Sequence, residues 1–186
     1  MISAIVAVDS NWGIGYKNQL LIHNKVDMQR FRLLTMNHKV FVGRKTYDSF
    51  PQRPLKKRTN FVITKDIYQR GYDGAHLITL DEARQYLTEP NIAHNEFIIG
   101  GESIYRELLP LCDYVYVTKI HHSFQNVDTY FPNLDKDENW VCEYDEFIKN
   151  ENSLDDELVN YEEFTGTEDG RVFGYNMSFA RYINLN

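Results

Sequence analysis

This sequence predicts a single α/β domain over residues 1–186, with a mainly parallel central sheet, an antiparallel C-terminal hairpin at the sheet edge, and about four flanking helices. Three observations predict it. Short apolar runs, continuous enough to be buried on both faces, alternate with helical patterns over the first two thirds of the chain. The last third changes character, to long strand-like segments separated by turns. A chain of 186 residues can also bury a substantial core as one unit.

The elements follow in order. Strand-like runs fall at Ile2–Val8, Lys39–Val42, Asn60–Ile63, Ala75–Ile78, Glu96–Ile99 and Tyr114–Ile120. Between them, apolar residues at helical spacing mark Val26–Met36, Lys45–Phe50, Leu80–Leu87 and Ser103–Leu109, the last stopped by Pro110. Farther on, Trp140–Phe147, Leu158–Phe164 and Val172–Ile183 read as long strands. An acidic turn at Lys149–Asp156 and a Gly-containing turn at Thr165–Gly170 connect them, and Asp135–Asn139 reads as a solvated loop.

Composition excludes several classes of function. A formal net charge of −7 argues against nucleic acid as a partner, because phosphate backbones require a basic face. No run approaches the ~18–20 apolar residues of a membrane span, and the first residues lack the pattern of a secretion signal. The expectation is a cytoplasmic monomer acting on a small molecule. Cys112 and Cys142 stand far apart and read as free thiols. His23, His38, His76, His94, His121 and His122 have no metal-ligand spacing, so no metal site is expected.

Four constellations can carry chemistry. In the first, Asp27, Phe31 and Leu34 stand at i, i+4 and i+7, which puts a carboxylate on an apolar helix stripe. Such a group must find partners or have its pKa raised; alternatively it charges the first helical turn. In the second, Lys39–Gly43 is a strand ending in glycine, and Arg44, Lys45 and Thr46 open a helix. That arrangement suits an anion, although a surface turn with solvated bases has the same look. In the third, Glu96–Ile99 ends in Gly100-Gly101, where a ligand can approach the backbone closely. No G-x-G-x-x-G fingerprint occurs, which argues against the usual dinucleotide site. In the fourth, Arg53-Pro54-Leu55-Lys56-Lys57-Arg58 is a basic cluster in an acidic chain, either a carboxylate grip or a solubilising loop.

Taken together, these segments resemble the dihydrofolate reductase family. The carrying residues are Ile5–Asp9, Trp12-Gly13-Ile14-Gly15 through Asn18 and Leu20, Asp27 with Phe31, Gly43–Ser49, Arg53–Leu55 to Arg58, Ile99-Gly100-Gly101 with Tyr105, Thr118, and Asp128–Pro132. The resemblance implies NADPH-dependent reduction of dihydrofolate to tetrahydrofolate, with Asp27 as the acid and Thr118 as its neighbour. It implies pocket walls at Ile5, Ala7, Met28, Phe31, Phe50, Leu55 and Ile99. Arg58 would pair with the substrate carboxylate, with Arg53 assisting at the rim. On the cofactor side it implies Gly43, Arg44, Lys45, Thr46 and Ser49 at the phosphates, and Thr64 and Lys65 at the adenosine end. Gly100, Gly101, Glu102, Ser103, Ile104 and Tyr105 would run along the pyrophosphate and ribose. Ala7, Ile14, Gly15, Asn18, Leu20 and Thr129 would border the nicotinamide, and residues 9–24 would be the loop that closes over it.

Two departures from the family pattern stand out. Leu20-Leu21-Ile22 replaces the usual Leu-Pro-Trp, so Ile22 cannot hold a water near the acid. Glu102-Ser103 follows the glycine pair where some relatives carry a base. Two other readings compete. One is the related NADPH-using pyrimidine reductase of the riboflavin pathway, which would need neither Asp27 nor Arg58; the other is a non-catalytic binding homologue.

Overall fold

In the computed structural model, residues 1–90, 95–148 and 164–186 are described. The leading strand β1 (Ile2–Val8) shows why the sheet is buried on both sides. Ile2, Ala4, Val6 and Val8 point into one apolar cluster with Phe41, Ile98, Val115, Val117 and Ala180. Ile5 points the other way, into a second cluster with Val40, Val42, Val62, Phe97 and Ile99. Period-2 alternation with both phases apolar is what a central strand requires.

The other strands of the main sheet are β4 (Lys39–Gly43), β5 (Thr59–Ile63), β6 (Ala75–Ile78), β7 (Glu96–Ile98), β8 (Tyr114–His121), β10 (Trp140–Phe147), β11 (Phe164–Glu168) and β12 (Arg171–Asn184). They run in the order β10-β12-β8-β1-β7-β4-β5-β6, with β11 paired to β12. The pairs from β8 through to β6 are parallel, and β12 is antiparallel to β8, β10 and β11.

Helices α1 (Lys25–Thr35) and α2 (Arg44–Asp48) place Phe31, Leu34 and Tyr47 on the Ile5 side. Helices α3 (Leu80–Leu87) and α4 (Glu102–Leu108) place Ala83, Leu87, Ile104, Tyr105 and Leu108 on the opposite side. The start of α1 is set by Asn24, whose Oδ1 accepts from the N–H groups of Val26 and Asp27 at 2.9 and 3.0 Å. At α3, Thr79 and Glu82 form a reciprocal capping box. No described helix is long and apolar enough to cross a membrane.

One expectation needs correction. The turn placed at Thr165–Gly170 shrinks to Asp169-Gly170, both at positive φ, because Thr165–Glu168 continue as strand against Val172–Gly174 and Arg171. The antiparallel C-terminal edge is present as expected: β12 runs for 14 residues between β8 and β10, and β10 is the outermost strand. Residues 135–139 are largely exposed, as expected, and Asp135 also accepts from the Tyr182 hydroxyl at 2.5 Å. The strand expected at Leu158–Phe164, apart from Phe164, and the whole acidic turn at Lys149–Asp156 lie outside the described residues, as does His94.

The sheet also opens. β1 pairs with β7 only as far as Ala4 with Ile98, then runs on alone on that side to Val8. The chain reverses direction at the same place: β4 to β7 lie on one side of β1, and α4 carries the chain across to β8 on the other. Crevices outside the carboxyl ends of strands at such a reversal are where α/β sheets bind ligands.

Candidate active site

The inner wall of this crevice is apolar. Ile5 and Ile99 from the strands, Phe31 from α1, and Phe50 and Leu55 from the segment after α2 all join one cluster. Ala7 lies beside Thr118 in the β1–β8 register and packs with Val26 and Ile22. Five of the expected wall residues are therefore brought together, and Ala7 packs in the adjoining cluster. Met28 joins neither cluster and is 48% exposed.

Asp27 stands over this wall. Asn24 already caps α1, so the Asp27 carboxyl is free to face inward, and the Thr118 hydroxyl donates to its Oδ1 at 2.7 Å. Burial raises its pKa above the ordinary 3.8; the Thr118 hydrogen bond and the Arg30 charge oppose that without cancelling it. Ile22, in the position where a tryptophan was expected, packs in the apolar cluster with Ala7 and Val26 on the same side. It contributes surface to the pocket and no hydrogen bond.

At the far end of the crevice, a groove is lined by Arg32, Met36, Pro54, Leu55, Lys57 and Arg58. Arg58 donates from Nε to Thr35 Oγ1 at 3.1 Å and from Nη1 to the Lys56 carbonyl at 2.8 Å, and its guanidinium lies 5.8 Å from the Phe31 ring. These contacts hold the fork in place at the rim. Arg53 lines a neighbouring groove with Phe50 and Pro54 and pairs with Asp48 at 2.9 Å, which also takes Arg44 at 3.0 Å and the Tyr72 hydroxyl. Asp48 thereby ties Arg44, at the start of α2, to Arg53 in the segment after it.

The opposite wall is built from backbone. Gly43 donates its N–H to the Gly100 carbonyl at 2.7 Å, where β4 and β7 end side by side. A Cβ at Gly101 would lie 2.7 Å from Thr46 Oγ1, and one at Gly43 would lie 3.0 Å from Ile104. Gly100 has φ +114, a region that L side chains rarely adopt, and it lies against the Tyr105 ring. The Gly100–Gly101 peptide is cis. Tyr105 anchors the junction by donating its hydroxyl to the Ile5 carbonyl at 2.7 Å, and burial pushes its pKa up. Lys45 and Ser103 are exposed at the two helix starts, and Ser49 closes α2 by donating to the Thr46 carbonyl at 2.6 Å. Thr64 is buried at the end of β5, with Lys65 exposed beside it.

The segment expected to act as a covering loop contains two short strands that were not foreseen, β2 (Gly13–Tyr16) and β3 (Gln19–Leu20), and β2 pairs with β9 (Thr129–Tyr130) from farther along the chain. Strands of two to four residues leave too little periodicity to read. Ile14 and Gly15 lie in β2, with Gly15 opposite Thr129. Asn18 donates to the Lys45 carbonyl at 3.2 Å, which bridges the loop to α2. Leu20 is 52% exposed on the loop. Glu102 accepts from the Tyr130 N–H at 3.2 Å and from Arg106 at 3.1 Å.

Sequence reasoning missed two organising acids here. Asp9, 3% exposed, accepts from the N–H groups of Asn11, Gly13 and Phe124. Asp128 accepts from the Lys17 N–H at 2.8 Å and donates its own N–H to the Gly15 carbonyl at 3.1 Å. An Asp followed by Gly four residues later was the available signal for the first.

The family model described as dihydrofolate reductase matches residues 1–163. The chain belongs to the dihydrofolate reductase family. A dihydrofolate reductase of Bacillus subtilis is 35% identical over 173 residues, covering 91% of this chain and 99% of that protein. One from Haemophilus influenzae is 35% identical over 147 residues, covering 79% of this chain and 88% of the relative. The solved structure of dihydrofolate reductase from Enterococcus faecalis, complexed with NADP(H) and RAB-propyl, superimposes with a TM-score of 0.74 at 26% identity. That match covers 100% of this chain and 97% of the other. These matches favour the dihydrofolate reductase family over the riboflavin-pathway reductase and the non-catalytic homologue. The glycine junction fits the cofactor such a reductase uses, because Gly43 and Gly101 present partly exposed backbone at two strand ends and Arg44 and Lys45 flank it with charge.

Proposed function

We propose that the protein reduces 7,8-dihydrofolate to 5,6,7,8-tetrahydrofolate with NADPH, and that Asp27 favours the protonated pterin. The observation that carries this reading is the Asp27 carboxyl, hydrogen-bonded by Thr118 over an apolar wall at the open end of β1.

When bound, NADPH supplies the hydride for the carbon of the pterin C=N bond. That carbon becomes electrophilic only when the adjacent nitrogen is protonated. Asp27 provides for this by accepting from the pterin amino and ring N–H groups, which orients the ring, and by its raised pKa, which keeps more of the acid protonated near neutrality than an exposed aspartate would be. Assistance of this kind is worth about 10²–10⁴-fold in rate. Ile5, Ala7, Phe31, Phe50, Leu55 and Ile99 hold the flat ring and its aromatic tail and exclude water, which strengthens each charge interaction in the cleft. The Arg58 fork offers the tail carboxylate a bidentate partner. Gly43, Arg44, Lys45, Thr46 and Ser49 would hold one set of cofactor phosphates, Thr64 and Lys65 the adenosine end, and Gly100–Tyr105 the pyrophosphate and ribose. Gly15, Asn18 and Thr129 would order the covering loop.

The test is a purified-protein assay of cofactor oxidation with dihydrofolate, run with NADPH and NADH, and with a ribosylaminopyrimidine as the control substrate. Oxidation that depends on dihydrofolate and prefers NADPH is expected, and Arg44→Ala should weaken NADPH about tenfold more than NADH, the loss of one charge-assisted phosphate contact. No dihydrofolate-dependent oxidation would overturn the assignment. The same reading places the protein in the cytoplasm as a single-domain monomer, open to antifolate inhibition at the Asp27 pocket.

A further inference from the structure

Arg30 lies three residues after Asp27 on α1, on a neighbouring face. Nothing in the sequence marked it, since a cation on a helix is most often solvated. Here its guanidinium lies 4.0 Å from the Phe179 ring and 5.8 Å from that of Tyr116, beneath the crevice. Its Nη2 donates to the Ala180 carbonyl at 3.2 Å. Its Nη1 donates to the Val117 carbonyl at 3.0 Å and to Thr118 Oγ1 at 3.3 Å.

The contact with Thr118 has a directional consequence. A guanidinium has donors and no acceptor, so Thr118 Oγ1 must accept there. The hydroxyl has one proton, and Asp27 Oδ1 stands 2.7 Å away to receive it. Oδ1 is then an acceptor whether Asp27 is ionised or neutral, so a proton arriving at the carboxyl has only Oδ2 to occupy. Without Arg30, the Thr118 hydroxyl would be free to turn toward a backbone carbonyl and accept from a protonated Oδ1 instead.

We infer that Arg30 is a positioning residue for the reaction, committing the Thr118 hydroxyl to donate to Asp27 and thereby confining the acid's proton to Oδ2. This rests on the reading of Asp27 as the acid. The groups that face Asp27 are Thr118 from β8, Arg30 from its own helix, Tyr105 from α4 and Tyr175 from β12. Burial raises the pKa of both phenols, so they stay neutral across the working range. Tyr116 from β8 and Tyr144 from β10 face Arg30. Of all these groups, only Arg30 is a cation.

The experiment is a carbon-13 carboxyl NMR titration of the full chain without substrate, with the Asp27 signal assigned by its loss in Asp27→Asn. Arg30→Met should move the Asp27 midpoint up by about one unit, a tenfold change in proton affinity, and Arg30→Lys should restore most of it. In a Thr118→Val background the Arg30→Met shift should shrink, because part of the coupling runs through the hydroxyl. The pH midpoint of single-turnover reduction should move with the NMR midpoint while NADPH affinity stays within about twofold, a difference of ~0.4 kcal/mol. An unmoved midpoint in folded Arg30→Met, or an equal shift with and without the Thr118 hydroxyl, would overturn the inference. If Arg30→Met does not fold, Arg30→Leu also removes both the charge and the donor, and an unmoved midpoint there has the same force. The titration needs no dihydrofolate, so inactivity of the wild type would sink the assigned reaction and leave this result readable.

Discussion

The two walls of the crevice are made of different materials. On the substrate side, the acid and its wall are side chains, each held by a specific partner: Thr118 on Asp27, Thr35 and the Lys56 carbonyl on Arg58. On the cofactor side, the surface is mostly backbone at Gly43, Gly100 and Gly101, with the charge supplied from half-exposed Arg44 and exposed Lys45. The difference teaches that substitutions should separate by kind. Removing a functional group on the substrate side should change chemistry or substrate affinity alone. Adding atoms on the cofactor side should change dinucleotide affinity alone.

Asp27→Asn gives the sharpest separation. It keeps an acceptor for the Thr118 hydroxyl and nearly the same volume, yet cannot take up a proton. Turnover at neutral pH should fall by about 10²–10⁴-fold, while NADPH affinity stays nearly intact. Single-turnover rates alongside fluorescence titration of NADPH check both halves. Equal turnover in variant and wild type would remove Asp27 from its assigned role.

Arg58→Leu comes next. Losing a charge-assisted hydrogen bond to a carboxylate costs about 1.5–3 kcal/mol, which is roughly a tenfold to hundredfold rise in the KM for dihydrofolate, with kcat little changed because the groove lies away from the reacting ring. A fall in kcat of the same size would mean that Arg58 positions the pterin and not only the tail.

Gly101→Ala tests the backbone wall. The added methyl would sit 2.7 Å from Thr46 Oγ1 and must push that side chain aside. Dinucleotide affinity should fall about tenfold, equivalent to ~1.4 kcal/mol, with the KM for dihydrofolate unchanged at saturating cofactor. If both affinities fell together, the two walls would be coupled, and Asp48, which holds Arg44 and Arg53 at once, would be the first place to look.

The same contrast explains what could be read in advance. Backbone sites announce themselves through glycine: Gly43 and Gly100-Gly101, each at a strand end, are visible in the sequence because no other residue fits there. The strands were legible because β1, β4, β5, β6, β7 and β8 are apolar on both faces, and their bounds hold to within a residue or so. Side-chain sites are ambiguous until packing is known. Asp27 could equally have charged a helix start, and only Asn24 taking the cap releases it inward. Arg53 looked like a pocket residue and is held by Asp48, while Arg30 looked solvated and is stacked on Phe179. For Arg30 the deciding partner lies far away in the sequence; for Asp27 and Arg53 it is a near neighbour, and packing decides which neighbour takes the contact.

The smallest expected effect is on stability, and it tests whether burial of the acid outweighs the contacts that favour its charge. The folded-state pKa of Asp27 is raised above 3.8, chiefly by burial. Between that ordinary value and the folded one, the native protein binds more protons at this site than the unfolded chain does, so stability at Asp27 falls as pH rises through the interval and is level above it. Asparagine does not titrate. The thermal midpoints of Asp27→Asn and the wild type should therefore keep a fixed difference below about pH 3.8. They should diverge in favour of the variant as pH rises, by about 2–4 °C for each kcal/mol of charge burial relieved, and run parallel again above the folded pKa. Unfolding scans at half-unit steps of pH measure this directly. Divergence in the opposite sense would mean that Thr118 and Arg30 together outweigh burial, and the acid would then be ionised too fully near neutrality to favour a protonated pterin.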